Sequence, residues 1–225
     1  MKKRIALMLA LALALCGLSG CRRQKDPYEG IPNPVATITL SDGRTMRFEL
    51  FLKEAPNTVA NFVELANAGF YDGQSFFRIV PGVLIQSGDP KNNGTGRAEH
   101  VIQGEFKANG IENTVSHSRG TISMSRQTEY DTASSQFFIM QGTYPEYNGK
   151  YAAFGRATDQ ESLNTLDAVA STGVDGNYSP VGAVPSIRTI RVETYGYEYE
   201  AAKMGLPERT QPPAVEEEEE VLIIS

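Results

Sequence analysis

Cysteine and histidine are scarce in this chain of 225 residues: Cys16 and Cys21 are its two cysteines, and His100 and His117 its two histidines. No closely spaced Cys or His has the spacing of metal ligands, and no Gly-x-Ser-x-Gly elbow is present, so metal-assisted and serine-hydrolase chemistry are disfavoured. Gly94-Thr95-Gly96 is not followed by the Lys-Ser or Lys-Thr pair of a phosphate cradle. Basic clusters are equally few. They are confined to Lys2-Lys3-Arg4 and Arg22-Arg23 in a chain of formal charge −6, so nucleic acid is not an expected partner. No internal repeat of solenoid length is present. The apolar stretch from Ile5 to Leu18 falls short of the ~20 residues that a membrane-spanning helix takes.

What that stretch does match is a secretory signal: a basic start, an apolar centre and the small-residue end Leu18-Ser19-Gly20-Cys21. Those four residues resemble the lipobox of bacterial lipoproteins, which makes residues 1–20 a signal peptide and Cys21 the lipidation site. Cleavage by an ordinary signal peptidase after Ala12-Leu13-Ala14 is the competing reading. If the lipobox is used, Cys16 leaves with the signal and no cysteine pair remains for an internal disulfide. Loss of three basic residues takes the formal charge from −6 to −9. Two or more acyl chains give stable attachment, so the expected location is extracytoplasmic, with the membrane a partner through the anchor. Arg22 and Arg23 would then face anionic headgroups. Residues 21–33 read as a linker with Pro27 and Pro32. Residues 196–225, with Pro207, Pro212-Pro213 and the run Glu216 to Glu220, read as a disordered acidic tail.

Between these ends, residues 34–195 form one expected domain. Ala36, Ile38 and Leu40 alternate with polar residues, as do Met46, Phe48 and Leu50 after Ser41-Asp42-Gly43, which predicts a hairpin with Asp-Gly at its turn. Two segments change period. Val59, Phe62, Val63, Ala66 and Phe70 behind Pro56 predict one amphipathic helix, stopped at Gly69. Leu163, Leu166, Val169 and Ala170 behind the capping-box pattern Thr158-Asp159-Gln160-Glu161 predict a second, with Gly173 beyond its end. Two helices against many short strands suggest a barrel or curled sheet with helices closing its ends.

Three segments resemble the signature regions of the cyclophilins. They are Phe76-Phe77-Arg78-Ile79-Val80-Pro81-Gly82-Val83-Leu84-Ile85-Gln86-Ser87-Gly88-Asp89 with Asn93-Gly94-Thr95-Gly96; Gly120-Thr121-Ile122-Ser123-Met124-Ser125-Arg126 with Ser134-Ser135-Gln136-Phe137-Phe138-Ile139; and Asn148-Gly149-Lys150-Tyr151-Ala152-Ala153-Phe154-Gly155. The resemblance spans roughly residues 34–194. It implies a mainly β fold, a closed eight-stranded antiparallel β-barrel capped by two α-helices, with its site on the outer face. The implied activity is peptidyl-prolyl cis/trans isomerisation of X-Pro bonds, with proline-containing polypeptides as partners; nothing demands more than a monomer.

Rotation of an X-Pro amide is slow because conjugation is lost, with a barrier near ~20 kcal/mol. Lowering it takes no nucleophile, metal or cofactor, only a contact that is stronger in the twisted state. The resemblance makes Arg78 the catalytic donor, always charged and able to direct several N–H groups, with Gln86 accepting from it and donating to substrate. Leu84, Phe138 and Tyr147 would form the pocket for the proline ring, with Val83 at its edge. Ser125, Arg126 and Gln127 match the stretch that pairs with the residue before proline, and Gly94, Gln136 and Tyr151 match further groove positions. Val83 stands where the family commonly has phenylalanine, Phe77 and Tyr151 where it commonly has histidine, and Glu146 where some members have tryptophan. A proline-peptide binding module or chaperone with little catalysis is the alternative reading.

Overall fold

The computed structural model describes residues 27–206; the lipobox with Cys21 and the acidic run lie outside them. The chain divides at Ile31/Pro32, and among the described residues all the regular structure falls in the unit that follows. Eight strands alternate with two helices in the order β1 (Val35–Leu40), β2 (Thr45–Leu50), α1 (Pro56–Asn67), β3 (Arg78–Val80), β4 (Leu84–Ser87), β5 (Thr121–Met124), β6 (Phe137–Met140), β7 (Ala152–Ala157), α2 (Gln160–Ala170) and β8 (Ile187–Glu193).

Every strand pairing is antiparallel, and together they make one half-barrel sheet in the order β3-β4-β6-β5-β7-β2-β1-β8. The closed barrel expected from the sequence is therefore met in its strand count and pairing sense. Its edges β3 and β8 share no ladder; an isolated bridge pairs Ser75 with Ser186, just ahead of each strand. The β1–β2 hairpin folds as its alternation dictates: Ala36, Ile38, Leu40, Met46, Phe48 and Leu50 are all buried, and Gly43 takes the positive φ that its turn needs.

The helices cover different parts of the sheet. Helix α1 packs on β8 and β7, and α2 on β2 and β4. Phe62 of α1 enters the sheet's concave core, meeting Tyr71, Phe137 and Phe154 with ring centroids 5.2–5.5 Å away. Phe70, expected on the same helix, falls beyond its end at Asn67. The cap of α2 also sits one residue later than the box pattern suggests. Asp159, not Thr158, is the N-cap, its carboxylate accepting from the Ser162 N–H at 2.8 Å, as the short acceptor side chain allows. Contacts of the domain continue past the boundary expected at 195. The Ala201 N–H donates to Glu64 of α1, and Met204 bridges to Val101.

Candidate functional site

The site begins with a tight turn. Pro81 presets one φ and Gly82 supplies a φ of +79°, the two requirements of a type II turn, which is closed by the Val83 N–H on the Val80 carbonyl at 2.9 Å. The three-residue loop sets Arg78 opposite Gln86, Ile79 opposite Ile85 and Val80 opposite Leu84. Because side chains alternate along a strand, Arg78, Val80, Leu84 and Gln86 share one face, and the β4–β6 register adds Phe138 and Met140 to it. The other face carries Ile79, Ile85 and Phe137, and Phe137 meets the core ring of Phe62 edge-on. The candidate site therefore lies on the side of the sheet away from the main core.

On that face two assemblies meet. The first is apolar: Val80, Leu84, Phe138, Met140, Tyr147 and Tyr151 form one buried cluster, with Val83 and Tyr144 half-buried against it. Tyr151 meets Phe138 edge-on at 5.6 Å and Tyr147 at 5.5 Å. The second is a chain of hydrogen bonds. Arg78 Nη1 donates to Gln86 Oε1 at 3.2 Å, while Gln86 Nε2 donates to Gln136 Oε1 at 2.9 Å and to Ser125 Oγ at 3.3 Å. Gln136 Nε2 in turn donates to the carbonyls of Gly94 and Gly96. Both amide protons of the fully buried Gln86 are thus engaged inside the protein, so its place in the geometry is to hold the arginine rather than to reach outward.

Arg78 is half-buried. Burial draws its pKa below the ordinary arginine value, partly offset by Tyr147, Tyr178 and Tyr151, and a guanidinium starting so high stays charged. Phe138 and Leu84 are fully covered, so a ring that is to rest on Phe138 must displace a member of the cluster above it. Gly94, Ser125, Arg126, Gln127 and Gln136 lie beside the apolar cluster, Arg126 resting its guanidinium on the Tyr151 ring at 4.9 Å. They line a cleft with Thr95, Gly96, Arg97, Thr132 and Ser134, joined to the arginine through the Gln86–Gln136 bond. The structure thus gathers the expected residues into one continuous surface with two compartments; Cys21 is outside the described residues. Glu146 is exposed on the short turn Pro145–Tyr147.

Two neighbours carry no sequence signal of a role. His117 is buried behind the apolar cluster, stacked 6.0 Å from Phe138, with one ring nitrogen 3.0 Å from Ser123 Oγ and the other 3.2 Å from Asn148 Oδ1. Burial pushes its pKa down to about 4. Tyr178 flanks the other side, with Arg78 Cζ 6.0 Å from its ring centre. Among the described residues no group of three or more His, Cys, Asp or Glu is arranged to hold a metal ion.

An antiparallel half-barrel bearing a charged donor beside an apolar patch and an open cleft has the form of a peptide-binding surface. Comparison with known proteins gives it a family. The family described as cyclophilin type peptidyl-prolyl cis-trans isomerase/CLD matches residues 35–192. Similar proteins include a peptidyl-prolyl cis-trans isomerase of Helicobacter pylori, 42% identical over 134 residues that cover 60% of this chain and 79% of the relative. Peptidyl-prolyl cis-trans isomerase B of Bacillus subtilis is 38% identical over 141 residues, covering 61% of this chain and 95% of the relative. Among solved structures, a cyclophilin type isomerase of Cryptosporidium parvum superposes with a TM-score of 0.63 at 29% identity, covering 72% of this chain and 98% of its own. A second crystal structure of that protein, in the presence of the dipeptide Ala-Pro, gives a TM-score of 0.62 at 29% identity over 71% of this chain and 98% of its own. The chain belongs to the cyclophilin-type peptidyl-prolyl cis-trans isomerase family. Its enzyme class is that of the peptidyl-prolyl cis-trans isomerases.

Proposed function

We propose that this isomerase acts on X-Pro bonds of polypeptides outside the cytoplasm, as a monomer tethered to the membrane through acylated Cys21, and so speeds their folding. The observation that carries the catalytic part is Arg78, held by Gln86 at the rim of the Leu84, Phe138 and Tyr147 cluster. A proline ring seated there leaves its amide beside the guanidinium. Donation to the prolyl nitrogen strengthens as the amide twists and that nitrogen regains its lone pair, which is the differential binding that accelerates the step. Ser125, Arg126 and Gln127, with Gly94 and Gln136, receive the chain that precedes the proline. The Ala-Pro dipeptide present with the Cryptosporidium protein accords with this class of ligand. The reading of the sheet as a closed barrel rests on the Ser75–Ser186 bridge and on the bond from the Ile79 N–H to the Tyr178 carbonyl, which tie the β3 edge to the segment ahead of β8.

A protease-coupled isomerisation assay tests the activity. Arg78→Ala is expected to lower kcat/KM at least about tenfold, the factor that about 1.4 kcal/mol of lost transition-state stabilisation gives, with the melting curve unchanged. Activity within about twofold of wild type, in a folded variant, removes the assigned role. Val83 and the coverage of Phe138 favour a second reading, a binder with little catalysis; peptide binding without acceleration by the wild type would select it. The anchor is tested separately. Cys21→Ser is expected to move the protein from the membrane to the soluble fraction, and unchanged fractionation would end the lipoprotein reading.

A further inference from the structure

The cleft beside Gln136 has one charge sign. Its lining contains two arginines, Arg97 and Arg126, and no carboxylate, the remainder being glycine, hydroxyl and amide side chains. In an acidic chain this is a local inversion, and among the described residues neither arginine makes an ion pair. Arg97 Nη1 is moreover buried without a hydrogen-bond partner among the described residues. A guanidinium donor removed from water and left unpaired is unfavourable unless an acceptor arrives from outside.

Arg126 is fixed rather than free. Its Nε donates to the Lys150 carbonyl at 3.0 Å and its Nη1 to the carbonyls of Gln127 and Thr128 at 2.8 and 2.9 Å. The group lies 4.9–5.1 Å from the ring centres of Phe106, Tyr130 and Tyr151. That leaves Nη2 without a partner among the described residues on a guanidinium whose orientation is already set, so little side-chain entropy is lost when an anion binds. Guanidinium donors lining one cleft match the planar oxygens of a carboxylate better than those of a neutral side chain.

We propose that this cleft selects an acidic side chain of the client N-terminal to the proline, with Arg97 and Arg126 as its specificity-determining residues. The inference rests on the isomerase reading for the direction of the peptide, since the cleft joins Arg78 through Gln136 and Gln86. Short Pro-containing peptides with Ala, Glu or Lys at each of the two positions before the proline test it. Exchange between cis and trans forms is followed by NMR on the intact protein, so that no protease adds its own preference. At low ionic strength Glu is expected to exceed Lys in kcat/KM by about fivefold or more at one of the two positions. Arg97→Gln and Arg126→Gln should each reduce that ratio, and Arg97→Glu should reverse it. Equal rates for the three peptides, or a preference that persists in both glutamine variants, would overturn the proposal. If even the Ala peptide is not accelerated, the isomerase reading fails instead. The charge preference is then read from peptide titration, where tighter binding of Glu than Lys peptides sustains it and equal binding overturns it.

Discussion

Tyr178 shows how a residue without sequence pattern enters the site. It adopts a φ of +62°, a left-handed conformation costing a non-glycine residue about 1 kcal/mol or more. The loop enforces it: the Asp175 carboxylate accepts from the N–H groups of Asn177 and Ser179, and the Tyr178 carbonyl takes the Ile79 N–H. The ring is thereby held exposed beside Arg78. Tyr178→Gly separates the two consequences. Stability should change little, because relief of the left-handed strain opposes the added freedom of the unfolded glycine. Loss of the ring should lower kcat/KM by about two- to fivefold, the worth of an exposed cation–π contact of about 0.5–1 kcal/mol, and Tyr178→Phe should retain activity. Full activity in the glycine variant would show that the ring does nothing for the arginine. Arg78, Leu84, Gln86 and Phe138 were legible because they stand in two continuous segments that resemble a family's signature regions, and the strand registers then place them on one face. Tyr178 and His117 reach the site from irregular loops, where no periodicity tells which way a side chain points.

Among the elements, α1 illustrates what sequence patterns leave out. Its apolar spacing and Pro56 announce a helix, yet its N-cap residue Ala55 offers no side-chain acceptor. The missing acceptor is Glu105, far along the chain, whose carboxylate takes the N–H groups of Asn57 at 3.0 Å and Thr58 at 2.7 Å, where the helix dipole also favours negative charge. A tertiary cap of this kind has no local signature. The end of β4 depends likewise on a distant neighbour. Gly88 has a φ of +90°, and a Cβ there would lie 2.3 Å from the Ser135 carbonyl oxygen. Gly73 has a φ of +80° and open space around it, so the pair separates backbone strain from contact. Gly73→Ala should cost about 1 kcal/mol. Gly88→Ala should cost about 1–3 kcal/mol more for the forced shift and, by moving Gln136 next door, should also lower kcat/KM. Urea denaturation of both variants measures this; equal costs would mean that the Gly88 approach is not tight.

At the scale of the whole molecule, the buried titratable groups pull against one another in acid. His117 is held neutral by burial, with its pKa down to about 4, and His100 is lowered as well, through burial and the nearby Lys203 charge. An unfolded histidine titrates near 6.5, so between that value and about 4 the unfolded chain binds more protons than the folded one, and stability falls as pH falls. Glu105 works in the opposite direction. Burial raises its pKa against the hydrogen bonds from Thr58 and Asn57, so below its folded value the folded state holds a proton that the unfolded chain does not yet bind. His117 has the larger part because it is the more deeply buried of the histidines and is wedged between Ser123 and Asn148. Tm is therefore expected to be flat above about pH 7 and to drop as pH falls from about 6.5 toward 4. His117→Gln, which keeps a hydrogen-bonding side chain without a titrating ring, should be less stable than wild type at neutral pH but show a shallower decline across that window. Melting curves at half-unit pH steps measure both slopes. Parallel curves for the two proteins would show that the acid sensitivity of this fold is set elsewhere than behind the apolar cluster.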